Sequence, residues 1–302
     1  MLILEVVNDY LVAIRQAGKS DATLRQYGWH LKKMSVWLIE QDIKDLPQVD
    51  KKVLRRWGAG LRDKWAPATQ KQAVCAARSF FGWCWEEELI KSDPGRSLKV
   101  PQVKKRIQRT LTAEDVQMLI AVCGSDLLGL RNVAIVSLLT DSGLRAEELC
   151  NLGIGDLDLP QGILDVISKG GHEDQGSFGD ATARRLEAWL EVRPSTPGVG
   201  EVFVSIGGLT PGNKLTTRGL RIIVRRLGEK AGIEGVSPHA FRRAFACLAT
   251  EAGAPSRVLR DMGRWSDIRM VEVYTQALNT RGLFRQYSPI SFIEGNLTIG
   301  SD

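Results

Sequence analysis

The amino-acid sequence predicts a mainly α-helical protein of two domains, one all-helical and one mainly helical α+β. Three observations support this prediction. Apolar residues recur at helical spacing through roughly the first hundred positions. Three short segments farther along, with β-branched or other apolar residues, predict a small sheet. The chain of 302 residues is also long enough for two domains of ordinary size.

The first domain is predicted to contain four helices. The second helix has the clearest signal, since Ser20 can cap it, Pro47 lies beyond its end, and five apolar residues recur at steps of three and four: Leu24, Tyr27, Leu31, Met34 and Leu38. A helix that begins at Pro67 repeats this pattern, and two more helices are expected near 2–16 and 50–64. One apolar stripe on each helix is enough to build a common core.

A change in charge marks the domain boundary. Residues 1–100 carry 17 Lys and Arg against 12 Asp and Glu, whereas residues 110–302 carry 20 against 23. Four basic residues and no acidic one lie between them: Lys104, Lys105, Arg106 and Arg109. Pro101 also interrupts the helical pattern there. We therefore predict a helical domain at 1–99, a basic linker at 100–110 and a second domain at 111–302.

The second domain is predicted to be centred on the apolar segment 130–142, which is too apolar for a surface helix and ends at Gly143. A further helix should follow Thr112. Strands are expected around Leu157, at 162–168 and at 201–204, and helices at 180–192, 214–231 and 238–252.

Composition excludes several classes of protein. No apolar run approaches the length of a spanning helix, and Glu5 breaks the apolar start, so we expect a cytoplasmic protein. Five cysteines without a C-x-x-C motif and three histidines do not suggest a disulfide framework or a zinc site. The net charge of +6 favours a polyanionic partner.

A first candidate motif is Ser142-Gly143-Leu144-Arg145, where a glycine ends one helix and the next helix presents Arg145 in its first turn. Glu148 follows three residues later. That spacing is also the spacing of an ordinary ion pair on a helix surface, so this motif alone leaves both readings open.

A second motif is Ser237-Pro238-His239-Ala240-Phe241-Arg242. Ser237 can cap a helix whose first residue is Pro238. His239 and Arg242 would then share one face at the positive end of the helix dipole. This arrangement predicts an anion-binding site.

A third motif joins Trp265, in Gly263-Arg264-Trp265-Ser266, to Tyr274 nine residues later. In their order and spacing, the three motifs together resemble those of the tyrosine recombinase (phage integrase) family. The resemblance implies a SAM-like core-binding domain followed by a catalytic domain with a small antiparallel sheet. It assigns six catalytic positions, all of them filled here: Arg145, Lys169, His239, Arg242, Trp265 and Tyr274.

Two departures from the family pattern affect these expectations. The family usually continues after the lysine with basic residues and Val-Pro, whereas this chain continues with His172, Glu173 and Asp174. Two carboxylates beside a phosphate backbone are unfavourable, so the conformation of this turn is the less secure part of the assignment. Arg243 also replaces a histidine that is common in relatives.

The resemblance implies a site-specific DNA recombinase or integrase that forms a 3′-phosphotyrosyl intermediate without metal, ATP or any cofactor. Tyr274 would be the nucleophile, His239 the base and Lys169 the acid that protonates the leaving oxygen. Arg145 and Arg242 would hold the phosphate, and Trp265 could donate its indole N–H. Two alternatives remain at this point: a type IB topoisomerase-like enzyme that relaxes one duplex, and a DNA-binding regulator without catalysis.

The same resemblance implies double-stranded DNA at a specific site as partner, a tetramer of the chain on two sites, and room for an accessory directionality factor. The DNA would belong to a mobile element, and the protein would act at the nucleoid. DNA contacts are expected from Lys104, Lys105, Arg106, Arg109 and Arg243. The apolar tail at 278–302 is expected to dock on a neighbouring protomer, with folding back onto its own domain as the alternative.

Overall fold

The structure is a computed structural model, and it describes residues 1–103, 110–167, 173–207, 210–275, 278 and 290. The chain forms two compact units, Met1–Arg106 and Ile107–Asp302. Both are mainly helical, and the sheet found among the described residues has three antiparallel strands. The predicted fold class is therefore confirmed. No helix within the described ranges is long and apolar enough to cross a membrane.

Four α-helices build the first unit: α1 Ile3–Gln16, α2 Asp21–Glu40, α3 Lys51–Gly60 and α4 Pro67–Glu86. Ser20 caps α2, since its hydroxyl accepts the backbone N–H of Thr23 at 3.4 Å. Four of the five residues of the predicted stripe are buried, and Tyr27 is half-buried. Three residues of the stripe, Leu31, Met34 and Leu38, share one core cluster with aromatic residues of the other helices, including Tyr10, Phe80 and Phe81. Helical periodicity alone thus identifies the core of this unit.

The second unit contains eight α-helices among its described residues: α5 Ala113–Ala121, α6 Leu127–Ser142, α7 Ala146–Asn151, α8 Asp180–Val192, α9 Thr217–Ala231, α10 Pro238–Glu251, α11 Ser256–Met262 and α12 Arg269–Thr275. Helix α6 is central, as its apolar composition predicts, because Ile135, Val136 and Leu139 are fully buried. Helices α8 and α10 both pack against α6. This packing fixes α10, which carries His239 and Arg242, relative to the end of α6.

The sheet has the order β1-β2-β3, with β1 at Leu157–Asp158, β2 at Ile163–Ile167 and β3 at Glu173–Ser177. Strands β2 and β3 are antiparallel and pair from Ile163 with Ser177 to Ile167 with Glu173. The two strands therefore flank the connection 168–172, which contains Lys169.

The third strand is not the one that the sequence predicts. Residues 201–204 form no strand of this sheet and make only two isolated bridges, from Glu201 to Gly153 and from Val204 to Lys214. Because each end pairs with a different segment, no ladder can extend along it. Val202, Phe203 and Val204 are all buried, without the alternation of a strand that has one exposed face. The observed β3 escaped prediction because its sequence, EDQGS, has no β-branched or aromatic residue.

Candidate active site

The turn between α6 and α7 positions Arg145. Gly143 ends α6 with a φ of 59°. A Cβ at this residue would lie 2.5 Å from the ring of Phe245, so the turn requires a residue that tolerates positive φ and has no side chain. Arg145 is the N-cap residue of α7, one position before the first turn in which the sequence predicts it.

Glu148 holds Arg145 by two contacts. The backbone N–H of Arg145 donates to Oε2 of Glu148 at 2.8 Å, and the guanidinium Nη1 donates to Oε1. The Glu148 side chain is only 4% exposed, whereas that of Arg145 is 41% exposed. The pair is therefore not an ordinary surface ion pair. A buried carboxylate orients a guanidinium that still reaches solvent.

The ionisation of Glu148 depends on its arginine partners. Burial acts to raise the pKa of the Glu148 carboxyl, but the hydrogen bonds from Arg145 and the charge of Arg264 bring the pKa below its ordinary value. Glu148 is thus an anion at neutral pH and can maintain its hydrogen bonds to Arg145.

The N-terminus of α10 carries the second motif, with the helix cap that the sequence predicts. Ser237 accepts the backbone N–H of Ala240 at 3.2 Å, and Pro238 occupies the first turn. Arg242 is 3% exposed, and its two terminal nitrogens donate to the backbone carbonyls of Gly143 and Gly263. One guanidinium thereby ties α10 to both glycine turns of the site. Burial and the nearby charge of Arg145 lower the pKa of Arg242 to about 10, so it remains a cation at neutral pH.

His239 lies on the exposed side of this cluster. Partial burial of the imidazole, with the positive charges of Arg243 and Arg242, lowers the pKa of His239 below its ordinary 6.5. A histidine with a lowered pKa is neutral at pH 7 and is available to accept a proton.

Tyr274 lies between His239 and Trp265. Its ring centroid is 5.6 Å from that of His239 and 5.2 Å from that of Trp265. The guanidinium carbon of Arg242 lies 4.9 Å from the centroid of the same indole. Tyr274 is 8% exposed, and its carbonyl accepts the thiol of Cys247 on α10, which anchors α12.

The indole N–H of Trp265 is buried and has no hydrogen-bond partner among the residues that the structure describes. Buried donors usually have partners, so an unsatisfied one in a cluster of cations is suited to a bound acceptor.

Five of the six predicted catalytic residues thus come together: Arg145, His239, Arg242, Trp265 and Tyr274.

Lys169 and His172 lie outside the described residues, as do the linker residues Lys104, Lys105, Arg106 and Arg109. Of the predicted tail, only residues 278 and 290 are described. Arg243 is half-buried on α10, where burial lowers its pKa.

Two residues of the cluster, Glu148 and Arg264, are not predicted from the sequence as site residues. The i,i+3 spacing of Glu148 from Arg145 predicts no more than an ion pair, and its burial has no local sequence signal. Arg264 lies beside the charged pair, with its Nη2 atom 3.4 Å from Oε2 of Glu148. In the motif Gly263-Arg264-Trp265-Ser266, only Trp265 matches a family position. The burial of the Arg264 side chain results from tertiary packing, which the spacing of residues in the sequence does not reveal.

The cluster can bind an anion beside a tyrosine hydroxyl. The guanidinium groups of Arg145 and Arg242, on different elements, interact with each other, and a neutral imidazole and the indole of Trp265 lie against the phenol ring. Fixed cations and N–H donors of this kind stabilise charge that develops on phosphate oxygens. Within the described ranges, no group of three or more His, Cys, Asp or Glu side chains is placed to hold a metal ion.

Comparisons with known proteins agree with these features. The family model described as "Phage integrase family" matches residues 109–281, and "Phage integrase, N-terminal SAM-like domain" matches residues 7–88. Tyrosine recombinase XerC of Corynebacterium efficiens is 31% identical over 287 residues, which cover 93% of this chain and 89% of the relative. Tyrosine recombinase XerD of Proteus mirabilis is 28% identical over 290 residues, covering 94% and 93%.

Solved structures share the fold. The Tn1549 transposon integrase in complex with circular intermediate DNA has a TM-score of 0.72 at 16% identity, over 95% of this chain and 99% of that one. The site-specific recombinase XerH, bound to a palindromic difH substrate in a post-cleavage complex, has a TM-score of 0.70 at 18% identity, over 89% and 80%.

Proposed function

Since the chain belongs to the phage integrase family of tyrosine recombinases, we propose that it is a site-specific DNA recombinase that cleaves and rejoins DNA through a 3′-phosphotyrosyl intermediate. The observation that carries this proposal is the position of Tyr274, which lies against both His239 and an indole covered by Arg242. A nucleophile, a candidate base and an anion-binding cation therefore meet in one cluster.

In the cleavage step, the hydroxyl oxygen of Tyr274 attacks the phosphorus of the scissile phosphodiester, and its proton passes to His239. The bond between phosphorus and the 5′ oxygen breaks, and that oxygen takes a proton from Lys169. The products are a 3′-phosphotyrosyl bond and a free 5′ hydroxyl. The lowered pKa of His239 supports its role, because only the neutral imidazole can accept the proton.

The two arginines stabilise the charge that develops on the non-bridging oxygens. Arg242 is fixed by two backbone carbonyls and Arg145 by Glu148, so neither must reorganise during the reaction. The free N–H of Trp265 supplies a further donor. Trp265 cannot exchange a proton as a histidine could, so proton transfer falls to His239 and Lys169.

Rejoining reverses the same chemistry. A 5′ hydroxyl from the partner duplex attacks the phosphotyrosyl bond, Tyr274 leaves, and no ATP, metal or cofactor is consumed, because the covalent link conserves the phosphodiester bond. Exchange between two duplexes requires that protomers on both of them act together. We therefore propose a tetramer on two sites, with the tail at 278–302 docked on the neighbouring protomer and folding back in cis as the competing arrangement.

The DNA partner is supported by relatives of the same fold that were solved with DNA, including the Tn1549 transposon integrase and a lambda integrase dimer on a COC′ core site. We place the action of this chain at the nucleoid in the cytoplasm, on an attachment site of a mobile element. An accessory factor would set the direction of the reaction. The linker cations Lys104, Lys105, Arg106 and Arg109, with Arg243, are the proposed contacts to the DNA backbone.

The experiment that tests this function starts from a duplex whose site has been located by footprinting on candidate attachment DNA. Wild-type protein should form joint molecules from two such sites. Tyr274→Phe should bind the DNA normally and cleave none of it, since only a hydroxyl is lost.

Tyr287→Phe is the matched control, because it removes another hydroxyl downstream of Trp265, and it should remain active. An inactive Tyr287→Phe with an active Tyr274→Phe would contradict the assignment. Relaxed circles without joint molecules would indicate a topoisomerase, and binding without cleavage by the wild type would indicate a regulator.

A further inference from the structure

Arg264 is unusual among the described residues because its charged side chain is buried while its backbone is in the left-handed region. Its φ is 52°, and its side chain is 2% exposed. The other described non-glycine residues with positive φ, Asp42 and Glu88, are exposed. Left-handed backbone disfavours residues with a Cβ, and burial disfavours a charge. Glycine is the residue best suited to this backbone. The presence of an arginine therefore indicates that its guanidinium makes contacts that glycine could not make.

The guanidinium of Arg264 contacts four elements around the candidate active site: α6, α7, α11 and β3. Its Nη2 atom donates to the carbonyl of Ser142 at the end of α6 at 3.2 Å and lies 3.4 Å from Oε2 of Glu148 on α7. Its Nη1 atom donates to the carbonyl of Met262 at 3.0 Å. A Cβ at Gly176 of β3 would lie 2.6 Å from Nη1, so the guanidinium rests directly on the backbone of that strand.

Glu148 is consequently shared by two arginines. Its Oε2 atom accepts the backbone N–H of Arg145 and faces Nη2 of Arg264, while Oε1 accepts from the side chain of Arg145. Arg264 adds a second, cationic contact at Oε2, so rotation of the carboxylate would break contacts to both arginines. The second cation also balances the buried negative charge.

We propose that Arg264 is a positioning residue for strand cleavage, which fixes Glu148 so that this carboxylate orients Arg145 towards the phosphate. Through Gly176 it also fixes β3, the strand that directly follows the connection containing Lys169. The inference rests on the proposed function, since it assigns a role within that reaction.

The test compares single-turnover cleavage, DNA binding and thermal unfolding for Arg264→Gly and Arg264→Lys. Glycine adopts positive φ without strain, so Arg264→Gly relieves the backbone while it removes the cation. We expect it to fold and to bind DNA like the wild type, but to cleave on the order of 10–100-fold more slowly. Arg264→Lys should recover part of this loss, because it retains the charge. Glu88→Gly makes the same backbone change at an exposed position and should cleave normally.

A double-mutant cycle with Glu148→Gln separates positioning from simple folding of the turn. If Arg264 acts through Glu148, Arg264→Gly should slow cleavage less than about threefold in the Glu148→Gln background. Equal losses in both backgrounds would overturn the inference, as would an Arg264→Gly variant that cleaves like the wild type.

Wild type and Tyr274→Phe are measured alongside. Cleavage by the wild type that Tyr274→Phe abolishes upholds the proposed function whatever Arg264→Gly does. If the wild type itself fails to cleave its footprinted site, the proposed function and the role of Arg264 both fall. Should Arg264→Gly not fold, the same cycle with Arg264→Lys decides the question, since additive losses there contradict the coupling.

Discussion

Replacing each of the two arginines that we propose to bind the phosphate by lysine should separate catalysis from stability. Both Arg242→Lys and Arg145→Lys remove a forked guanidinium, which one ammonium cannot reproduce on a phosphate. Their structural surroundings differ, because Arg242 is 3% exposed and bonded to two backbone carbonyls, whereas the Arg145 side chain is 41% exposed and bonded to Glu148. We therefore expect similar losses of cleavage and unequal losses of stability.

The magnitudes follow from these contacts. Removing a preorganised donor costs about 10²-fold in rate, roughly 2.7 kcal/mol of transition-state stabilisation. A lysine at 242 can reach at most one of the two carbonyls, and a lost hydrogen bond from a charged group costs about 1.5–3 kcal/mol. With about 2–4 °C per kcal/mol for a unit of this size, Arg242→Lys should melt roughly 3–12 °C lower. Arg145→Lys keeps a cation beside Glu148 and leaves the backbone N–H bond to that carboxylate intact, so we expect a smaller loss, about 1 kcal/mol.

The assay is single-turnover cleavage of a nicked duplex, from which the cut strand diffuses away, combined with thermal unfolding of the same preparations. DNA binding serves as the control that each variant still engages its site. Cleavage by both variants within a few-fold of wild type would refute the roles assigned to the arginines. Equal melting shifts for the two variants would refute the argument from burial.

Three further predictions concern the acid, the base and the tail. The Lys169→Ala variant should cleave ordinary DNA poorly. A substrate with sulfur in place of the 5′ bridging oxygen should restore cleavage, because the sulfur leaves without a proton. Absence of rescue would make His172 the first alternative acid. Because the pKa of His239 is lowered, cleavage should be level near pH 7 and decline only below pH 6.5, the ordinary histidine value. A decline that begins above pH 7, or one that persists unchanged in His239→Gln, would exclude His239 as the base. Truncation after about residue 280 should preserve binding to a single half-site and abolish recombination of two sites, whereas normal recombination would show that the tail is not needed for assembly.

Much of the fold could be predicted from sequence because apolar residues recur at a characteristic spacing in helices. The stripe on α2 and the density of apolar residues in α6 identified both cores correctly. The sheet was harder to predict, since β3 is held by backbone pairing to β2 and its side chains carry no strand signal. The buried stretch 202–204 had such a signal, but its backbone pairs with two separate segments.

The candidate site could be predicted where its residues lie at fixed local spacing. His239 and Arg242 share a face because of one helix cap, and Tyr274 follows Trp265 by a set interval. Arg264 and Glu148 meet across 116 positions of sequence, so no local pattern reports their contact. The left-handed backbone of Arg264 is equally invisible in sequence, because glycine is the residue that usually marks such a position. The roles of all these residues, including Lys169, stay predictions.

The most direct measurement of the central claim is the identity of the residue joined to DNA. Protein trapped on a nicked duplex would be digested with protease and nuclease, and the nucleotide-bearing peptide located by mass spectrometry. We expect a single adduct on Tyr274, linked through the 3′ phosphate of the cleaved strand. An adduct on Tyr287 or on any other residue, or a link through a 5′ phosphate, would contradict it.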